Sequence, residues 1–165
     1  MSEDFEAGLA RAQSFVACSG VPAAFIGGLA VIGWGEVRMT KDVDVLVDLR
    51  GRSVEDLLED AASVGYTWDP EEAALLEEGG FLRLDALGGE GFPLDLISAD
   101  TAFHLAVLDR ALSVDFGELQ LRLATAEDLI LMKLIAFRPQ DTLDLDTVFE
   151  RRAGQLDLAY LQGWA

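Results

Sequence analysis

Between Lys41 and Asp48 the chain reads Lys-Asp-Val-Asp-Val-Leu-Val-Asp, with valine alternating against acid. A period of two predicts a strand with Val43, Val45 and Val47 on one face and Asp42, Asp44, Leu46 and Asp48 on the other. Residues two apart on a strand have Cα atoms about 6.5–7 Å apart, so the carboxylates of Asp42 and Asp44 emerge side by side. Two readings are open. On an edge strand facing water the acids need no partner, and Asp48 favours that reading. On a buried strand like charges raise each other's pKa, and the pair calls for a compensating cation. Leu46, sharing the acidic face, favours the second.

The flanking segments predict a mixed α/β (α+β) domain. Phe5, Leu9, Ala12, Phe15 and Val16 recur at helical spacing over 3–19, and Gly20 and Pro22 stop that helix. A short apolar strand, Ala23–Ile26, meets Gly27-Gly28, and Leu29–Trp34 resumes as helix. Ser53-Val-Glu-Asp56 resembles a capping box for a helix to about Ser63. Residues 65–80 read as a surface connection with one helical turn. Phe81–Leu87 and Phe92–Ile97 predict a hairpin through the turn at 88–91. A helix at 101–108 and short strands at 113–116 and 119–123 follow. Thr125-Ala-Glu-Asp128 opens a helix ending near Arg138-Pro139, and a last helical region runs from about Asp141 past Val148. One domain over 1–165 is expected, with a mixed-sheet core at about 20–123 and a helical part at about 124–165.

Charge and composition exclude several classes. The chain has 30 acids against 12 bases, a net charge of −18, yet is 51% hydrophobic, which is incompatible with a disordered acidic tail. Such a field repels phosphate backbones and anionic membranes. One cysteine (Cys18) and one histidine (His104) leave no intrachain disulfide, thiolate zinc cluster or two-histidine metal site. Residues 12–35 carry no charge, but Pro22 and five glycines break the run as a membrane span. The acidic start, Met-Ser-Glu-Asp, is unlike a signal peptide, and a cytoplasmic protein is expected.

Two further features can carry chemistry. Gly27 and Gly28, between strand and helix, admit either a tight turn or a phosphate approaching backbone N–H groups at a helix N-terminus. Asp95, within Leu94-Asp95-Leu96-Ile97, either faces outward or completes a three-carboxylate cluster if its strand pairs beside that of Asp42 and Asp44.

The order of these elements resembles the DNA polymerase β-like nucleotidyltransferase superfamily: an apolar residue and two small ones (Ile26-Gly27-Gly28), then Asp-apolar-Asp (Asp42-Val43-Asp44), then a later strand Asp (Asp95). A double glycine stands where Gly-Ser is common. Arg38-Met-Thr-Lys-Asp42-Val-Asp44 and the downstream Lys133, Arg138, Asp141 and Asp144 are similar to small bacterial nucleotidyltransferases of the AbiEii type, found in abortive-infection and toxin–antitoxin systems.

That resemblance implies transfer of a nucleoside monophosphate from an NTP to a hydroxyl on a protein, an RNA end or a small molecule. Asp42, Asp44 and Asp95 would be catalytic and hold Mg²⁺ (or Mn²⁺), with Asp95 acting on the acceptor side. Gly27, Gly28, Lys133 and Arg38 would bind the nucleotide. Lys133 lies in a mostly apolar helix, where a cation snorkels, pairs or meets phosphate. Arg38 either contacts substrate or braces Asp42 and Asp44. Arg138, Asp141 and Asp144 are also readable as helix-end charges. His104 reads as structural, and the three tryptophans are too scattered to form a stacking platform. Given the charge, a protein or small-molecule acceptor is favoured over long nucleic acid, with a cognate toxin or antitoxin as a further expected partner. The rival readings are a non-catalytic regulator on the same fold and, third, a sugar transferase using Asp-x-Asp.

Overall fold

The computed structural model describes residues 3–89 and 91–164; Glu90, within the expected turn at 88–91, and the first two residues lie outside them. In chain order the elements are α1 (Glu3–Ser19), β1 (Ala23–Phe25), α2 (Gly27–Trp34), β2 (Val43–Val47), α3 (Val54–Ser63), β3 (Tyr66–Trp68), α4 (Pro70–Glu77) and β4 (Phe81–Ala86). After a 3₁₀ turn at Leu87–Gly89 come β5 (Leu94–Ser98), α5 (Ala102–Arg110), β6 (Leu112–Phe116), β7 (Leu119–Leu123), α6 (Ala126–Ala136), α7 (Pro139–Arg152) and α8 (Leu158–Trp164). The α/β reading holds: seven strands form one mixed sheet in the order β3-β4-β5-β2-β1-β7-β6.

β2 therefore lies at the centre of the sheet, paired antiparallel to β1 and parallel to β5. Both of its faces are covered. Val43, Val45 and Val47 pack with Phe5, Leu9 and Phe15 of α1, Leu57 of α3 and Leu76 of α4. Leu46, on the acidic face, packs with Phe103 and Val107 of α5 and Leu131 of α6. The solvent-facing edge strand is thus excluded. Arg50 folds back on Asp48 with three hydrogen bonds from its guanidinium and one from its backbone N–H, which accounts for the acid at the end of that face.

The β4–β5 hairpin forms in the register Phe81↔Ile97 to Leu84↔Leu94. The segment 65–80 is more ordered than its sequence suggested. Tyr66–Trp68 adds an edge strand to β4, with Tyr66 3% exposed. Asp69 caps α4 by accepting from Glu71 N–H, with Pro70 at the first helical position, where its missing donor costs nothing. The last helical region divides into α7 and α8.

α6 packs on the sheet through Leu131 and on α2 and α7 through Ala30, Val31, Leu129, Ile130, Leu145 and Val148. The expected capping box forms by half: Asp128 N–H donates to Thr125 Oγ1 at 3.2 Å, while the Asp128 carboxylate accepts from that hydroxyl at 2.7 Å and not from the Thr125 backbone N–H. Asp128 is fully buried and also accepts from Tyr160 Oη at 2.6 Å, which ties α8 to α6. Among the described residues no helix is long and apolar enough to cross a membrane. Thr125→Ala removes both hydroxyl bonds and should lower the unfolding free energy by about 1–2 kcal/mol, measured by urea denaturation.

Candidate functional site

Asp44 sits beneath the first turn of α2, and Gly27 makes that possible. Gly27 has φ +57°, and a Cβ built on it would lie 1.9 Å from Asp44 Oδ2. Only glycine satisfies both the left-handed backbone and the close approach. At Gly28 a Cβ would come within 2.6 Å of Thr40 Oγ1. Two side-chain-free positions thus let a carboxylate and a hydroxyl press against a helix N-terminus whose N-cap, Ile26, offers no side-chain acceptor. The Gly28 backbone N–H acts on the Asp44 carboxylate there and favours its charged form.

The parallel β2–β5 register sets Asp44 directly beside Asp95. Asp42 stands one residue before β2, held by Thr40, whose hydroxyl donates to the Asp42 carbonyl at 2.9 Å. The expected pairing of the two acidic strands therefore occurs, and all three carboxylates line one cavity of about 760 Å³ with Gly27 and Gly28. Burial first, then the charges of Asp42 and Asp95, push the Asp44 pKa up to about 6, against smaller opposing effects of the Gly28 N–H and Arg138. Asp44 is a carboxylate with a deficit of positive charge around it.

Asp95 is not in that condition. It is 4% exposed and paired bidentately with Arg83, Nε to Oδ1 at 2.8 Å and Nη2 to Oδ2 at 2.7 Å. The same Nη2 lies 3.7 Å from Asp42 Oδ2. Among the described residues no group of three or more His, Cys, Asp or Glu is arranged to hold a metal ion. The donors that fit one are Asp42 and Asp44: hard oxygens at the start of β2 and just before it, suited to an ion that takes its other ligands from phosphate and water. Sequence reasoning missed Arg83. The signal was its alternation with Leu82 and Leu84, which puts it on the polar face of the predicted hairpin.

The far wall comes from α6 and α7. Phe137 ends α6 in the left-handed conformation at φ 46°. Pro139 then begins α7, holding Arg138 extended, so the chain reverses over two residues. This brings Asp141 and Asp144 back onto Lys133, whose Nζ donates to Asp141 Oδ1 at 2.9 Å and Asp144 Oδ2 at 2.7 Å. Arg138 N–H and Nε donate to Asp141 Oδ2, and Arg38 Nη2 to Asp144 Oδ2 at 3.0 Å. Arg38, in the connection between α2 and β2, therefore reaches across to α7 and is committed to Asp144, not to Asp42 and Asp44. Lys133 is 4% exposed with two of its three donors committed to carboxylates. Burial alone would raise Asp141 and Asp144, but Arg138 and Lys133 at the first and Lys133 and Arg38 at the second hold both below the usual carboxylate range. His104 bonds Asp100 at 3.0 Å and does not line the cavity.

The cavity lining carries Arg38, Lys41, Arg83, Lys133 and Arg138, five of the chain's 12 bases, against five of its 30 acids. On a protein of charge −18 this is the place suited to an anion. A central Asp-x-Asp strand beneath a Gly-Gly helix start, in a mixed sheet, is the architecture of a nucleotidyltransferase. The chain belongs to the family described as nucleotidyltransferase of unknown function, DUF6036, whose model matches residues 20–164. Its fold is similar to the crystal structure of the lincosamide antibiotic adenylyltransferase LnuA, lincomycin-bound (TM-score 0.62, 14% identity, 87% of this chain and 95% of that one). It is also similar to an antigenic nucleotidyltransferase-like protein from Paracoccidioides brasiliensis (TM-score 0.62, 14% identity, covering 91% and 78%). JHP933 from Helicobacter pylori is a third such structure (TM-score 0.58, 17% identity, covering 99% and 73%). No curated protein matches the chain in sequence.

Two stability effects of opposite sign follow. Asp44, raised to about 6 in the fold, contributes stability that is full below about pH 4 and lost as pH rises through 6. Asp44→Asn keeps an acceptor for Gly28 and does not titrate. In chelator it should match wild type near pH 4 and exceed it by roughly 3 kcal/mol at pH 7, read from denaturation curves at each pH. Asp141 and Asp144 are depressed, so their contribution is present above about pH 4 and fades as pH falls below it. Lys133→Met should cost about 3 kcal/mol at pH 7 by leaving buried charge uncompensated, and the deficit should shrink below pH 4.

Proposed function

We propose that this protein transfers a nucleoside monophosphate from an NTP to a hydroxyl of a small molecule or protein. The observation that carries the reading is Asp44, crowded by two carboxylates beneath the Gly27-Gly28 helix start, in a cavity that gathers five of 12 bases. Asp42 and Asp44 would hold Mg²⁺ or Mn²⁺. Such an ion binds triphosphate oxygens and neutralises charge developing at the α-phosphorus. Gly27 and Gly28 give phosphate oxygens a surface free of side chains at a helix N-terminus. Arg38, Lys133 and Arg138 make the α6–α7 wall net cationic by one charge against Asp141 and Asp144, which supports that wall as the phosphate-facing side. Pyrophosphate would leave, and the acceptor hydroxyl would approach from the Asp95 side.

The cavity supports a compact acceptor: its apolar lining includes Met39, Phe81, Ile97 and Met132. The structural neighbour that is a lincosamide adenylyltransferase supports a small-molecule hydroxyl as well. A long RNA acceptor is disfavoured by the surrounding charge. The proposal takes residues 1–165 as one domain, because α6 and α7 complete a cavity that begins on the sheet. A cytoplasmic setting belongs to it too; the AbiEii subtype and a toxin–antitoxin pairing rest on sequence resemblance alone. The alternative is a non-catalytic regulator on this fold, favoured by the commitment of Asp95 to Arg83.

Incubating the protein with Mg²⁺ and each α-labelled NTP, with cell lysate as acceptor source, separates the two. Label transfer or pyrophosphate release is expected, and Asp44→Asn or Asp42→Asn should lower it roughly 100-fold or more, about 3 kcal/mol of transition-state stabilisation. Wild-type protein that binds no NTP at millimolar Mg²⁺ would falsify the transferase reading.

A further inference from the structure

Arg83 and Asp95 occupy directly opposed positions on β4 and β5, and their geometry assigns them a joint task. The guanidinium has five N–H donors in a rigid plane. Two of them are spent on Asp95, one from Nε and one from Nη2. Three remain. The Asp95 side chain is 6% exposed and the Arg83 side chain 43% exposed, and Arg83 lines the cavity. The pair thus has a buried anionic end anchored in the sheet and an open cationic end beside Asp42.

A divalent ion bound through Asp95 would have to displace this guanidinium and then sit beside it, dication against cation. Asp42 meets the same guanidinium only at 3.7 Å, with no hydrogen bond to displace, and Asp44 makes no ion pair with it. The anchored fork also suits an anion: a planar guanidinium held by a carboxylate on one edge presents its other edge for phosphate oxygens, with its orientation already fixed. Charge appears on the α-phosphoryl oxygens as the bond to the acceptor forms and the bond to pyrophosphate breaks. A donor preorganised at that position stabilises the transition state without reorganising.

We propose that Arg83 is the phosphate-contacting cation on the sheet wall of the cavity, and that Asp95 is its positioning residue, not a third ion ligand. This rests on the nucleotidyltransferase reading and revises the role that sequence pattern alone assigns to Asp95.

The test uses full-length protein, Mn²⁺ alone and Mg·ATP. Manganese binding, followed by electron paramagnetic resonance, should be lost in Asp42→Asn and stay within about twofold of wild type in Asp95→Asn and Arg83→Met. Mg·ATP affinity by calorimetry should fall about tenfold in both Arg83→Met and Asp95→Asn. The double variant should be no worse than Arg83→Met, because two residues acting as one unit do not add. Arg83→Lys, which keeps charge but not the fork, should recover part of the loss. If Arg83→Met fails to fold for want of a partner to Asp95, the neutral pair Arg83→Gln with Asp95→Asn carries the same measurement. Loss of manganese binding in Asp95→Asn overturns the inference by returning Asp95 to the ion. Wild-type affinity for Mg·ATP in both Arg83→Met and Asp95→Asn overturns it while leaving the transferase reading intact. A wild-type protein that binds no Mg·ATP overturns both.

Discussion

A carboxylate pressed against a glycine organises this molecule. Asp44 Oδ2 occupies the space where residue 27 would carry a Cβ, so the turn from β1 into α2 and the acidic face of β2 specify one another. The central position of β2 gives this contact its consequences. With both faces of the strand packed, the carboxylate cannot swing out to water, and its charge must be met from inside the cavity. The strand order then brings Asp95 alongside through β5, and α2 through β1. The surroundings of Asp44 are thus set by the sheet, not by loops.

Much of this was legible in the chain. The alternation at 41–48, the double glycine, the hairpin and the Thr125 cap of α6 each have a local cause, and each forms where that cause places it. The juxtaposition of Asp95 with Asp44 depended on a parallel pairing that no local signal contains; it followed from the order of motifs, which is a property of the whole fold. What escaped is equally physical. Tyr66–Trp68 is three residues long, too short for its periodicity to stand out, and becomes a strand only because β4 offers it a free edge. The Asp69-Pro70 start of α4 was present as a helix signal but was outweighed by the acids and glycines around it.

The site residues divide in the same way. Residue type leaves Lys133 to snorkel, pair or meet phosphate, the family resemblance reads it as a nucleotide-binding cation, and Asp141 and Asp144 are readable as helix-end acids. Folded, they are each other's partners, because a left-handed Phe137 and Pro139 reverse the chain between α6 and α7. Arg38 joins the same group from the connection between α2 and β2. Three cations share two buried carboxylates, and the wall keeps a residual positive charge while each acid in it is satisfied. Sequence shows charges; only geometry shows which of them cancel.

That reversal also sets an order of events for the chain as it is made. The acidic floor is encoded by residue 95, but the wall opposite it is incomplete until residue 144 has been added and α7 can close on Lys133. Before α7 closes, the chain already carries Arg38, Lys41, Arg83, Lys133 and Arg138, all the bases that line the cavity. What α7 brings is carboxylate: Asp141 and Asp144 take hold of Lys133 and Arg38 and fix where those charges stand. The last long helix therefore supplies alignment and not charge, and turns loose cations into an ordered wall.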